Sequence, residues 1–193
     1  MTALTGPHRT ALIEATVAEF ADAGYEGASL NRIIRAAGLS KSSFYHAAGS
    51  KAELFDVVVR ALVDDVLHAW TPPDPVSFET PAFWARVDET LANFGALAAD
   101  APLGMLGRIF YLPAGEGAAR AEVLAAVRGW VAAVLRAGRA VGAVHADLPV
   151  ELQTAAVFGL LRGIDEWALS AAGDPEAAAA APGILLRRLL GTS

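Results

Sequence analysis

Residues 20–54 read FADAGYEGASLNRIIRAAGLSKSSFYHAAGSKAEL, and this stretch decides the fold. Ser29 is a good N-cap for a helix of about eight residues carrying Leu30, Ile33 and Ile34, and Gly38 is placed to end it in a left-handed backbone conformation. Ser40 then caps a second helix only about six residues long. Two short helices joined by Ala37-Gly38-Leu39, with Leu39 plugging the space between them, have helix-turn-helix spacing. Ser50 follows with Glu53 three positions on, a capping box that marks another helix start.

In the second short helix Phe44 is the inward anchor. Lys41, Ser42, Ser43, Tyr45 and His46 are the outward side chains, and all of them can hydrogen-bond phosphates or base edges. The spacing therefore makes this the candidate recognition helix.

Working outward, apolar residues recur at three- and four-residue intervals in nearly every long segment, and the expected fold is all-α. A first helix runs from about Arg9 to Ala23 on the stripe Ile13, Val17 and Phe20, with Gly24 terminating it. The helix after Ser50 runs from about Lys51 to Trp70 and stops at Thr71-Pro72-Pro73-Asp74-Pro75. Its apolar arc is broad enough to require cover on more than one side. Five more helices are expected, over about 81–99, 103–111, 117–141, 149–172 and 175–190, with Pro182-Gly183 kinking or interrupting the last.

Composition narrows the chemistry. The 193 residues are 54% hydrophobic and 19% charged, enough apolar material for one compact unit or two small ones. With no cysteine, disulfides, thiolate metal sites and cysteine nucleophiles are excluded, and a reducing cytoplasm is the expected compartment. The longest run without Asp, Glu, Lys or Arg is about ten residues, short of the roughly 18 that span a bilayer. The first residues contain no apolar secretory segment, and no membrane partner is expected. His8, His46, His68 and His145 are too scattered for a metal site, and neither a P-loop, a G-x-G-x-x-G string nor a G-x-S-x-G turn occurs. These absences argue against an enzyme and against any cofactor.

Net charge is −6, unevenly spread. Residues 1–52 carry five basic groups (Arg9, Arg32, Arg35, Lys41, Lys51) against four acidic ones, which leaves ten basic and seventeen acidic for the rest. A polyanion would meet the N-terminal part alone.

Phe20, Gly24-Tyr25, Ser29, Ile33, Ala36-Ala37-Gly38-Leu39-Ser40-Lys41, Phe44-Tyr45, Ser50-Lys51 and Leu54 stand in the order and spacing of the N-terminal domain of TetR-family transcriptional regulators, which this segment resembles. The match spans about 35 residues, under a third of the chain. The resemblance implies a DNA-binding domain over residues 1–52 and a helical regulatory and dimerisation domain over 53–193. It implies that Ser29, Lys41, Tyr45 and Lys51 hold the phosphate backbone while Ser42, Ser43 and His46 face base edges. Two positions depart from the pattern. Ala48 stands where the family usually has a large aromatic, and Ile34 stands where a small residue is common and would restore the volume that Ala48 lacks.

A ligand cavity is also implied, among the helices after the fourth. Candidate lining residues are His68, Trp84, Asp88, Met105, Arg108, Tyr111 and Trp130, each of which also fits an ordinary core or surface role. A dimer contact is expected through the last two helices, at Val157, Leu160, Leu161, Ile164, Ile184, Leu185 and Leu189. The expected partners are thus a double-stranded operator, a second copy of the chain and a small-molecule effector. The leading expectation is a ligand-responsive repressor acting as a homodimer. Open beside it stand a regulator of the same fold that has no effector or that activates, and an all-α enzyme or carrier containing a helix-turn-helix-like bend.

Overall fold

The computed structural model describes residues 7–97, 101–110, 112, 118–168 and 175–192. They form α1 (Pro7–Gly27), α2 (Leu30–Ala36), α3 (Lys41–Ala47), α4 (Lys51–Ala69), a 3₁₀ turn (Pro75–Phe78), α5 (Phe83–Leu97), α6 (Ala101–Phe110), α7 (Ala118–Ala140), α8 (Val150–Ala168) and α9 (Pro175–Leu190). The all-α expectation holds. By packing, the chain divides into two compact units, Met1–Thr71 with Leu97–Leu124, and Pro72–Ala96 with Ala125–Ser193.

In the first unit α1, α2 and α3 close over Phe20, Ile33 and Phe44, and α4 adds Leu54, Phe55, Val58, Val59 and Leu62 to the same core. The sequence-based boundary after residue 52 thus lies inside this unit, because α4 buries its first three turns against the helices before it. Leu106 and Ile109 of α6 complete the cluster. Burial on α4 ends at Leu62, and Leu67 is exposed, so the later turns are less covered than the apolar arc suggested. Arg9 fastens α1 to α4 by a forked contact with the Asp65 carboxylate at 3.0 and 3.1 Å. Arg60 of α4 pairs with Glu122 of α7 at 2.8 Å.

The second unit is built on Phe78, Phe83, Val131, Val134, Leu135, Val144, Val157, Leu186 and Leu190. Phe83 and Val144 approach α7 so closely that a Cβ on Gly138 would lie 2.6 Å from Val144 and 2.7 Å from Phe83. The turn between α7 and α8 is held by buried Gln153, whose side-chain amide donates to the His145 carbonyl at 2.9 Å and whose oxygen accepts from Arg139 at 3.1 Å. α9 is continuous through Pro182, so the expected kink is not accompanied by an interruption of the helix. Proline removes one helical hydrogen bond there. The following turns are anchored by buried Leu186 and Leu190 and by the Arg187–Asp88 ion pair at 2.6 Å. Gly183 leaves room for the same Asp88 carboxylate, which would sit 2.8 Å from a Cβ.

Candidate nucleic-acid interface

The helix-turn-helix is assembled by the signals expected of it. Gly24 (φ 68°) bends α1 and Gly38 (φ 65°) turns the chain from α2 into α3, both in the left-handed region open to glycine. Ser40 accepts the Ser43 amide at 3.0 Å, and its hydroxyl also lies 2.8 Å from the Ser43 hydroxyl. Ser50 accepts the Glu53 amide at 3.1 Å, while the Glu53 carboxylate reaches back to the Gly49 amide at 2.7 Å.

On α3, Phe44 is fully buried and Tyr45 is 56% exposed, with their rings edge to face at 5.4 Å. Lys41, Ser42 and Ser43 are exposed on the same short helix. A buried aromatic anchor thus holds a row of hydrogen-bonding side chains toward solvent, as direct contact with phosphates and base edges requires. The side chain of His46 lies outside the described residues. Ile34 and Ala48 are both buried in the first core.

Two of the residues expected at phosphates have partners within the chain. Ser29 has the extended backbone of an N-cap, but its hydroxyl caps nothing. Its amide donates instead to Glu19 at 2.8 Å, and the same carboxylate accepts from Arg32 at 2.8 and 3.0 Å. The Arg32 hydrogen bond, aided by the Ser29 amide, holds the Glu19 carboxyl below the usual carboxylate range against the opposing effect of its burial. The anion at the start of α2 is therefore the chain's own.

Lys51 also turns inward. Its ammonium donates to the carbonyls of Tyr25, Glu26 and Ala28 at 2.8, 2.9 and 3.3 Å and lies 5.2 Å from the Tyr25 ring centroid. Three donors meet three acceptors, so in this arrangement the side chain braces the end of α1 instead of facing outward. No single sequence signal marks such a pairing across 23 to 26 residues.

The described ligand-pocket candidates divide between the two units. His68 is exposed, with Nδ1 2.6 Å from the Asp64 carbonyl. Met105 packs against the first core. In the second unit Trp84 donates to the Ala143 carbonyl at 3.2 Å, Trp130 donates to the Pro73 carbonyl at 2.8 Å, and Asp88 is paired with Arg187. The Arg108 side chain and Tyr111 lie outside the described residues. Of the expected dimer residues, Val157 and Ile164 are already buried by their own chain and Leu160 and Leu161 are half-buried in its second core. Ile184, Leu185 and Leu189 are exposed. Among the described residues no helix is long and apolar enough to cross a membrane.

An all-α chain with an N-terminal helix-turn-helix and a capped, outward-facing third helix is a DNA-binding regulator in architecture. Residues 12–58 match the family of "Bacterial regulatory proteins, tetR family". Among curated proteins none matches the chain significantly. SCO3833, a TetR transcriptional regulator family member from Streptomyces coelicolor A3, is 29% identical with a TM-score of 0.65, covering 94% of this chain and 91% of its own. FadR from Bacillus subtilis, solved with stearoyl-CoA, superposes with a TM-score of 0.71 at 17% identity over 94% and 97% of the two chains. NalD, the secondary repressor of the MexAB-OprM multidrug efflux pump in Pseudomonas aeruginosa, gives 0.64 at 18% identity over 96% and 97%. Over residues 12–58 the chain is similar to the TetR family of transcriptional regulators, and over most of its length it is similar in fold to solved members of that family.

Proposed function

We propose that the protein is a homodimeric repressor that seats α3 in the major groove of a palindromic operator and releases it when a small molecule binds the helices following α4. The observation that carries this reading is the α3 surface, where Lys41, Ser42, Ser43 and Tyr45 are exposed over the buried Phe44. Lys41 and Tyr45 take phosphates, and Ser42, Ser43 and His46 read base edges. Ser29 and Lys51 support these contacts from within, through the Glu19 and Tyr25 pairings above.

Dimerisation through the exposed Ile184, Leu185 and Leu189 would set the two reading heads roughly 34–36 Å apart, one turn of duplex. The effector reading is supported by FadR, a protein of this fold that holds stearoyl-CoA, and the repressor reading by NalD. α4 is the natural lever, a rod of about 30 Å whose first turn follows directly on the recognition helix. A shift of a few ångströms at Lys51 would take one head out of register. Complete reversal needs an effector that prefers the shifted state by about 5.5 kcal/mol.

The test is an electrophoretic shift, at several salt concentrations, on the DNA flanking the protein's own gene. Retardation that weakens steeply with salt and is lost in Tyr45→Ala is the expected result. A chain that retards no duplex at low salt would return the enzyme or carrier reading. A thermal-shift binder that fails to release the operator argues for the regulator without an effector.

A further inference from the structure

Of the five cationic side chains in residues 1–52, three are occupied within the chain. Arg9 forks onto Asp65, Arg32 onto Glu19, and Lys51 is spent on three carbonyls. Among the described residues Arg35 and Lys41 have no hydrogen bond, ion pair or ring contact from the side chain, and both are exposed. These two also line the same cleft between α2 and α3, together with Asn31 over a floor of Ile34 and Leu39. Two unneutralised cations sharing a cleft repel each other, and an anion between them removes that cost. Asn31 adds a neutral donor at the edge.

We propose that Arg35 is a DNA-contacting residue, and that Arg35, Lys41 and Asn31 together clamp the sugar-phosphate backbone at the junction of α2 and α3. This rests on the DNA-binding reading above and assigns it a contact outside the recognition helix. It also explains how an N-terminal part with a net charge of only +1 can hold a polyanion. Arg9 is paired with Asp65 and Arg32 with Glu19, which leaves Arg35 and Lys41 as exposed, unpaired cations in one cleft. A backbone contact of this kind carries no sequence information. It adds affinity and salt dependence equally on every duplex.

The full-length chain is titrated against a fluorescein-labelled 30-base-pair duplex of random sequence, by anisotropy, between 50 and 200 mM KCl. Arg35→Gln should reduce the slope of log affinity against log salt by about 0.9, so that it loses about three- to four-fold less affinity than the wild type over that range. Lys41→Gln should behave alike, the double variant should lose about twice as much slope, and Arg35→Lys should retain it. Unchanged helicity by circular dichroism excludes misfolding as the cause.

An Arg35→Gln slope equal to wild type, in a protein whose binding is still abolished by Tyr45→Ala, overturns the clamp and leaves the DNA-binding reading standing. Absence of binding by the wild type overturns both. A thermal shift caused by 10 mM inorganic phosphate and removed by Arg35→Gln would make the cleft a site for a small free anion, and would also overturn the proposal.

Discussion

The Lys51 ammonium lies 5.2 Å from the centroid of the Tyr25 ring and donates to the Tyr25 carbonyl at 2.8 Å. The last carbonyls of a helix have no partners within it, and beyond the bend at Gly24 those of Tyr25 and Glu26 in α1, with that of Ala28 just after it, accept from Lys51 in the first turn of α4. One side chain thereby joins the end of α1 to the start of α4, and the loop leading out of α3 is anchored at its far end. Lys51→Met should lower stability by about 1–3 kcal/mol, the loss of charge-assisted hydrogen bonds to exposed and part-buried carbonyls, as read by urea unfolding. The salt slope of DNA binding should be unchanged in the same variant. A slope lower by about 0.9 would place the ammonium on a phosphate instead.

The helix-turn-helix was legible because its determinants are local. Gly24 and Gly38 take the positive φ that each turn needs, and Ser40 and Ser50 cap the residues three positions on, all within one turn of chain. The pairing of Ser29 is not legible, for the opposite reason. Its partner Glu19 lies ten residues upstream on another helix, and only the packing of α1 on α2 brings the two together. The burial of the residues expected at the dimer contact likewise depends on packing between distant segments. Helical periodicity identified Val157 and Leu189 as apolar positions on one pattern, but it could not say that Val157 faces its own core while Leu189 faces water. Pro182 does not interrupt α9, because tertiary anchoring of Leu186, Arg187 and Leu190 outweighs the local preference against proline.

Neighbouring aromatics on α3 should separate folding from recognition. Phe44 is fully buried, and Phe44→Ala should cost about 3–5 kcal/mol and lose DNA binding along with structure. Tyr45 is mostly exposed and keeps only its edge-to-face contact with Phe44, so Tyr45→Ala should cost about 1 kcal/mol or less. DNA affinity should nevertheless fall for all sequences alike. Parallel urea and anisotropy titrations of the two variants decide it.

Acid sensitivity should trace in part to Glu19. Its carboxyl is held below the usual range, chiefly by the hydrogen bond from Arg32, so the folded state binds this proton less readily than the unfolded chain. The stabilisation is present above the unfolded value of about 4.3 and is lost as pH falls through the lower folded value. Glu19→Gln should be less stable than wild type at neutral pH, and the difference should shrink below pH 4. Equal differences at pH 7 and at pH 3 in urea melts would refute the linkage.

Two glycines of α7 should respond oppositely to alanine. At Gly138 the new methyl would press on Val144 and Phe83 at 2.6 and 2.7 Å, both packed in the second core, so Gly138→Ala should destabilise by about 1–3 kcal/mol. At Gly129 nothing lies within 4 Å, and Gly129→Ala should stabilise by about 0.5–1 kcal/mol through helix propensity alone. Thermal unfolding of the two single variants should bracket the wild type.

The dimer contact should be breakable without unfolding the chain. α9 buries Leu186 and Leu190 in its own core while Ile184, Leu185 and Leu189 occupy the exposed arc, Leu189 at 47% exposure. The cleft beside Leu189 is lined by Leu148 and Leu152, which are also exposed, so the apolar surface continues onto α8. Apolar patches of this kind on a folded chain mark contact surfaces, and a two-fold pairing would cover the same residues on both copies. Leu189→Glu places a charge on that surface and should give a monomer by sedimentation, against a wild-type mass twice the 20.0 kDa of the chain. Helicity should be unchanged, and affinity for a palindromic site should fall toward that for a half-site. Leu186→Glu, directed into the core, should unfold the protein instead. A Leu189→Glu protein that sediments with the wild-type dimer places the interface elsewhere.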